Sequence, residues 1–578
     1  VTAILRDDGN ATATLNADTD YPLGTVDGRV SLDEGGAPHV VGSLTAPLPD
    51  DAALLDQLDP RTLRRVTLEV TAERVDGFGS TVNRTFDLGL RSAQIDEDAA
   101  TVTLTLESDE ALLIDDVWLG DTSNTDALAY QSSLRAIIDN VVLDRIGAAL
   151  EPGTTDTPFY VLFDARNLLE NPGGDVNASA IVSAGNSSFA RETVKVRTGA
   201  GSIRVANGVA GLYAVMLDST TSATGGAHTV SEGDERNFSV WASCNVAHNA
   251  YIGIRWLDSS GNPIGSDVLA TPVALAPSSW KRISVSGVAP AGAARMKPIV
   301  WGNAPTGGFL LYLDDMVLAD TVELVDAFDG DTPDTLEYGY NWEGTPGVTR
   351  SSRTALIDRA PDLLHWKPGV SAWAFVQPIV QAAGFRLLCD EQRKWWLVDG
   401  AGYLAHGMTQ LSFGAHITRA STGISRDGDW FDAALVRYRW RDPEGNQQER
   451  IDWFAAPGWT RARTFDIEAP YPGPGRAAYK VKRAEGLGRT ATVEAPLDLT
   501  VTPSQALRLN LPNIPELFGV TRAVEFDLGT FRMSVESRGL TDVPSGAWIL
   551  ANPTLTWAAV DPGTTWAEAT PDDSTIFD

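Results

Sequence analysis

The chain reads as runs of alternating apolar and polar residues broken by turn clusters. TVTLTLESD at 101–109 alternates throughout, and RRVTLEVTAERV at 64–75 and RTFDLGLRSAQI at 84–95 follow the same rhythm. A period of two puts every second side chain on one face, so these runs predict half-buried strands. DG, GG and FGS between them supply the turns. Residues 1–120 are therefore expected to form a small barrel or sandwich with one wet face. DAALVRYRWRD and QERIDWFAA within 412–460, joined by DPEG, and AVEFDLGTFRMSVESRG at 523–539 extend the strand pattern. Trp440, Trp453 and Trp459 are expected on one barrel face or in a subunit contact.

The spacing becomes helical in two places. Within 125–147, Leu134, Ile137, Ile138, Val141, Val142 and Ile146 form a core-facing stripe, with Gly147 placed to end the helix. Within 371–384, Ala372, Phe375, Val376, Ile379, Val380 and Ala383 repeat the pattern. Ser371 can cap the start of this second helix, Pro378 implies a kink or a tight first section, and Gly384 ends it. FRLLC, DEQRK and WWLVD then predict a hairpin. YPGPG at 471–475 reads as a rigid loop. RAAYKVKRAEGLGRT after it is a basic island, expected as a solvated or inter-subunit face.

Residues 167–320 stand apart. VKVRTGAGSIRV, NFSVWASCNV, AYIGIRWLDSSG, SWKRISVSGVAP and MKPIVWG are strand-like runs at regular spacing, with turns such as DSSGNP between them. Such a rhythm predicts a β-sandwich of jelly-roll type. Charge draws the same boundary. The whole chain of 578 residues carries -31. Residues 167–320 hold 10 Lys/Arg and 12 Asp/Glu, so nearly all the acidity lies outside them. A strongly acidic surface disfavours nonspecific nucleic-acid binding and suits either solubility or repulsion of DNA. The length allows about three to five domains. Two cysteines, Cys244 and Cys389, make neither a disulfide framework nor a metal site. No apolar run is long enough for a membrane helix, and VTAILRDDGN does not read as a signal peptide.

SLDEGGAPHVVGSLTAPLPD at 31–50, with Ala37-Pro38-His39-Val40, followed by Leu58-Asp59-Pro60-Arg61, resembles the opening barrel of tail hub proteins from long-tailed bacteriophages. Trp342, Gly344, Thr345 and Ser351-Ser352 are similar to that family's aromatic strand, turn and serine-rich strand. A helix ending in AAG before a hairpin also follows its order. The segment around 336–354 is expected to close a strand pairing begun before residue 167, making 167–320 an insertion. The resemblance implies a mainly β fold, with tandem hub-type barrels and small α/β modules interrupted by a jelly roll. The expected domains are a first barrel at 1–120, a helix-plus-strand module at 121–166 and the insertion at 167–320. A helix-plus-hairpin module at 321–410, a second barrel at 411–540 and an extension at 541–578 complete the plan. It further implies a virion protein at the tail tip, a homotrimer that closes or adapts the tail tube. Its partners would be distal tail and other tip proteins, with phage DNA passing through unbound.

NLLENPGG and YLDDMVLAD bracket the insertion, which resembles jelly-roll carbohydrate-binding modules. That resemblance implies a host cell-wall glycan as ligand and a structural calcium held by Glu170 with Asp314 or Asp315. Calcium wants six to eight oxygens, and simple strand-end turns explain the same residues. Gly173-Gly174-Asp175 also departs from the family's usual opening. Trp241, Tyr251, Trp256, Trp280, Trp301 and Tyr312 could stack on sugar or fill the core. Trp256 and Trp301, beside the turns LDSSG and GNAPTGG, are the expected carbohydrate-binding pair.

No catalytic constellation is evident. HExxH, GxSxG and a P-loop are absent, and His39, His228, His248, His365, His406 and His416 lack metal-ligand spacing. The chain is expected not to be an enzyme. The alternatives are a secreted glycan-active enzyme, which needs two carboxylates flanking a cleft, and a bacterial surface adhesin.

Overall fold

The computed structural model describes residues 10–16, 20–49, 56–73, 81–178, 181–185, 187–217, 227–321, 324–426, 429–442, 445–512 and 516–542. The protein is mainly β. It divides into two compact units, residues 1–161 with 359–578, and residues 162–358. Among the described residues no helix is long and apolar enough to cross a membrane. Of the expected C-terminal extension, only residues 541–542 lie among those described.

The first unit is built on a sheet of thirteen described strands. Strand Thr101–Glu107 buries Val102, Leu104 and Leu106 and leaves the alternate threonines partly wet, as its period dictates. The sheet runs from Tyr21–Thr25 through the early strands to Asp27–Asp33. It then passes directly to Leu517–Asp527, Arg532–Asp542, Arg489–Pro496 and Arg419–Ile424. At the junction Val30 pairs with Phe526 and Leu32 with Val524, antiparallel. Phe86 meets Phe526 edge-on at 6.3 Å. One apolar cluster runs from Ala11 to Val535. The segments expected as two barrels, 1–120 and 411–540, thus share one sheet and one apolar cluster. Joining them along Asp27–Asp33 removes two strand edges that would otherwise need cover.

A second core gathers the helices. The stretch expected as one helix is instead a short α-turn at Leu134–Ile137, a π-turn at Ile138–Val142 and a 3-10 turn at Leu143–Ile146. Its β-branched run, Ile137, Ile138, Val141 and Val142, crowds a regular helix, and the widened turn still buries all four. Gly147 ends it in the left-handed conformation, φ 67°. Helix Ala372–Ala382 follows the expected pattern. Ser371 Oγ accepts from the Ala374 N–H at 3.2 Å, and Phe375, Val376, Ile379 and Val380 are buried. The hairpin pairs Phe385–Cys389 with Trp395–Asp399.

The basic island is a helix, Arg476–Ala484, rather than a solvated face. Ala477, Val481 and Ala484 enter the core at helical spacing. Gly475 before it has φ +127°, and a Cβ there would collide with the Ala382 carbonyl, so the chain passes close only because it is glycine. Strands Ala433–Arg441, Gln447–Ala455 and Ala462–Ile467 form a small sheet against this core. Trp440 packs inward, whereas Trp453 and Trp459 are 71% and 54% exposed.

The second unit is a sandwich. One sheet orders Ser187–Glu192, Ser202–Asn207, Phe309–Ala319, Glu235–Cys244 and Lys281–Val288. The other orders Val268–Leu269, His248–Leu257, Arg295–Ala304, Gly211–Leu217 and Ile181–Gly185, with two short strands at its side. Strand Ala165–Asn167 enters the unit, and Ser351–Ala355 leaves it, paired Ser351 to Asn167. The aromatic strand Tyr338–Trp342 completes this small sheet. The pairing expected across the insertion is therefore present. It moves the insertion's bounds from 167–320 to 162–358 and takes 321–358 out of the helix-plus-hairpin module. Buried Asn167 ties the opening to the last long strand, donating to the Met316 carbonyl at 2.9 Å and accepting from the Leu318 N–H at 3.1 Å.

Candidate functional site

The sheet holding strands His248–Leu257 and Arg295–Ala304 has two faces of different chemistry. Ala250, Ile252, Ile254 and Trp256 share one parity and lie in the sandwich core. Tyr251, Gly253 and Arg255 share the other. Across the ladder Tyr251 pairs with Trp301, Gly253 with Ile299 and Arg255 with Lys297. Tyr251 and Trp301 stack with ring centroids 4.5 Å apart and planes at 20°. Ala214, the small register partner of Trp301 on its other side, adds little bulk there. Exposed Asn303, two residues on, brings an amide to the same face. At the far end Arg255 grips Asp267 through two bonds of 2.8 and 2.7 Å, which fixes its guanidinium. Gly253 is needed where it stands, because a Cβ would strike Leu269 and the Val268 carbonyl as that strand crosses close.

The face thus offers a half-buried aromatic pair and an anchored cation, with Gly253 and Ile299 buried between them. Flat apolar rings beside fixed hydrogen-bond groups suit the alternating faces of a sugar.

Of the two expected tryptophans, one is here and one is not. Trp301 belongs to the open face. Trp256 is 3% exposed and belongs to the core. Its nearness to a turn does not expose it, because the turn folds back and the Ile264 N–H donates to the Trp256 carbonyl at 2.9 Å. The partner that Trp301 does have is Tyr251. Parity could have found it, since Tyr251 and Arg255 are four residues apart on one strand. Trp241 is covered by the Arg197 guanidinium, 3.8 Å from its ring centroid.

The expected calcium residues separate likewise. Asp314 is fully buried and accepts from the backbone N–H groups of Arg197 at 2.7 Å and Asp315 at 2.8 Å. Burial pushes its pKa up to about 7, with Asp315 adding to the rise and the backbone bonds opposing it. Asp315, in the left-handed region at φ 47°, pairs with the Arg197 guanidinium and the Thr198 hydroxyl. Asp175 holds the same loop by accepting from the N–H groups of Ala200 and Gly201. Glu170 is exposed. Among the described residues no three His, Cys, Asp or Glu side chains are grouped to hold a metal ion. As arranged, Asp314 and Asp315 are engaged with the loop at Arg197–Thr198. Arg197 already supplies the positive charge, and the aspartates pin a loop.

No protein-family model and no curated protein sequence matches the chain. Solved structures resemble it remotely. A 43 kDa tail protein of prophage MuSo2 from Shewanella oneidensis is 10% identical, with 91% of this chain and 98% of that one covered, at a TM-score of 0.37. The C-terminal family 22 carbohydrate-binding module of Clostridium thermocellum Xyn10B is 15% identical, with 28% and 97% covered, at 0.23. The enzymatically active domain of bacteriophage CBA120 tailspike protein 4 is 14% identical, with 26% and 21% covered, at 0.21. The match therefore spans about a fifth of that tailspike chain.

Proposed function

We propose that this chain is a structural tail-tip protein of a long-tailed bacteriophage, a hub whose inserted sandwich attaches to host cell-wall glycan. It works by assembly and binding, without catalysis. The observation that carries this reading is an insertion of a particular kind. A complete sandwich with a half-buried Tyr251–Trp301 platform sits within a chain whose own sheet of thirteen described strands draws on segments from both sides of it. A host of that design keeps its core whatever the insertion displays. Two of the sequence features that resemble hub proteins support this reading by being ordered locally. Asp59 caps the turn at Pro60–Thr62, and Trp342 pairs with Ser351.

The hub assembles as a homotrimer with distal tail and other tip proteins. Exposed Trp453 and Trp459, with Ile451 on the same strand face as Trp453, are apolar groups that a subunit contact would cover. The acidity of the host segments keeps passing DNA from sticking. The test is co-sedimentation of the full chain with purified host cell walls. The wild type should pellet and Trp301→Ala should remain largely in solution. A wild-type chain that binds no wall preparation, or one that cleaves the glycan, would overturn the reading.

A further inference from the structure

In the first unit a cavity of about 440 Å³ opens between helices Ala372–Ala382 and Arg476–Ala484, the loop at Glu34, and strands of the small and large sheets. Its charge is opposite to that of the chain. Arg386, Arg463, Lys480, Arg483, Arg522 and Arg538 line it, against the two carboxylates of Glu34 and Asp429. Three of the arginines converge on one buried group. Glu34 accepts from Arg483 at 3.1 Å and Arg386 at 3.5 Å and forms an ion pair with Arg538 at 2.7 Å. Burial raises the Glu34 pKa, but the three guanidiniums outweigh it and hold the carboxyl below its usual range. One negative charge still leaves this cluster with two positive charges in excess.

The opposite wall adds to the surplus. Lys480 lies over Phe465 at 4.2 Å, and Arg463, itself paired with Asp429 at 3.1 Å, shares the same ring at 5.2 Å. Among the described residues Lys480 has no carboxylate partner. Burial, then Arg476 and Arg463, push its pKa down to about 8. Arg386 is 8% exposed, lines the cavity and has no hydrogen-bond partner for its Nε. Asp429 answers Arg463 and Glu536 answers Arg522, but the cations facing this space still outnumber the carboxylates, and a bound anion relieves the cost of that excess.

The geometry points to an oxyanion site in this cavity, for a small di- or polyphosphate rather than a nucleic-acid backbone. The small volume of the cavity favours a compact ligand. Lys480 gives a point charge for a phosphoryl oxygen, and Arg386 keeps one N–H, on Nε, without a protein partner, while its terminal nitrogens and those of Arg483 are held by Glu34, Ser504 and Gly400. The site is independent of the glycan face, so either can fail alone.

The test is calorimetric titration of the full chain with pyrophosphate at constant ionic strength, with a short single-stranded oligonucleotide as the second arm. Wild type should bind pyrophosphate at one site per chain. Lys480→Met, which keeps the contact with Phe465, should weaken binding about tenfold or more, and Lys480→Arg should restore it. Arg463→Gln, at a half-exposed position, should also weaken binding and guards against a folding effect at Lys480. No binding at millimolar pyrophosphate, or binding that both variants leave unchanged, overturns the proposal. An oligonucleotide that binds more tightly than pyrophosphate and is lost in the same variants also overturns it.

Discussion

Replacing the two tryptophans of the sandwich one at a time separates fold from function. Trp256 is packed in the core with Ile252, Ile254 and Val285. Truncating it to alanine removes a buried ring and leaves a cavity, costing about 3–5 kcal/mol. Trp301 is half-buried and stacked on Tyr251 alone. Its loss costs the fold roughly 0.5–1.5 kcal/mol for the stacked pair plus a part of its burial. Its effect on binding is larger in proportion. If a sugar covers about half of the ~200 Å² that a tryptophan can bury, ~25 cal/mol per Å² gives about 2.5 kcal/mol, or roughly 50-fold in affinity. The assay pairs calorimetric melting of the full chain with wall co-sedimentation. Trp256→Ala should lower the sandwich's melting transition sharply. Trp301→Ala should melt within a few degrees of wild type and lose most binding. A Trp301→Ala chain that binds walls as well as wild type refutes the platform. One that unfolds as badly as Trp256→Ala refutes the assignment of the two faces.

Other expectations follow from charge and boundaries. Glu34→Gln leaves three arginines around a neutral group and should cost about 3–5 kcal/mol by denaturant melting; a change under about 1 kcal/mol would show that solvent screens the cluster. Because burial raises Asp314 to about 7 in the folded sandwich, its contribution is full below the unfolded value and lost as pH rises to 7. The sandwich's stability should therefore fall by up to about 2–3 kcal/mol between pH 5 and 8, and a flat or rising profile would contradict this. Chelation should leave the melting of the sandwich unchanged, and a drop would show that a metal ion does use the aspartates. A fragment of residues 162–358 should give a cooperative melt, whereas 167–320, which cuts strand Ala165–Asn167 and lacks Ser351–Ala355, should melt lower; equal melts would place the boundary elsewhere.

What the sequence disclosed was local. The alternation of Thr101–Glu107 and the stripe of Ala372–Ala382 with its Ser371 cap are set by neighbours along the chain, and both stand in the structure. The helix Arg476–Ala484 was missed although Ala477, Val481 and Ala484 keep helical spacing, because its apolar face is made of small residues between long cations. The junction of Asp27–Asp33 with Leu517–Asp527 joins positions almost five hundred residues apart. Nothing in either strand alone specifies it. The glycan face was half legible. Aromatic content pointed to the right sheet, but proximity to turns was a poorer guide than parity, which puts Trp301 with Tyr251 and Trp256 in the core. The cationic cavity was invisible for the same long-range reason, since Glu34, Arg386, Arg483 and Arg538 come from four distant segments.

The central claim is that the chain is a tail-tip component. Gold-labelled antibody against the full chain, imaged by electron microscopy on intact phage particles that carry it, tests this most directly. Label confined to the tip of the tail is the expected result. Label on the head or along the tube, or particles that lack the chain altogether, would contradict the claim.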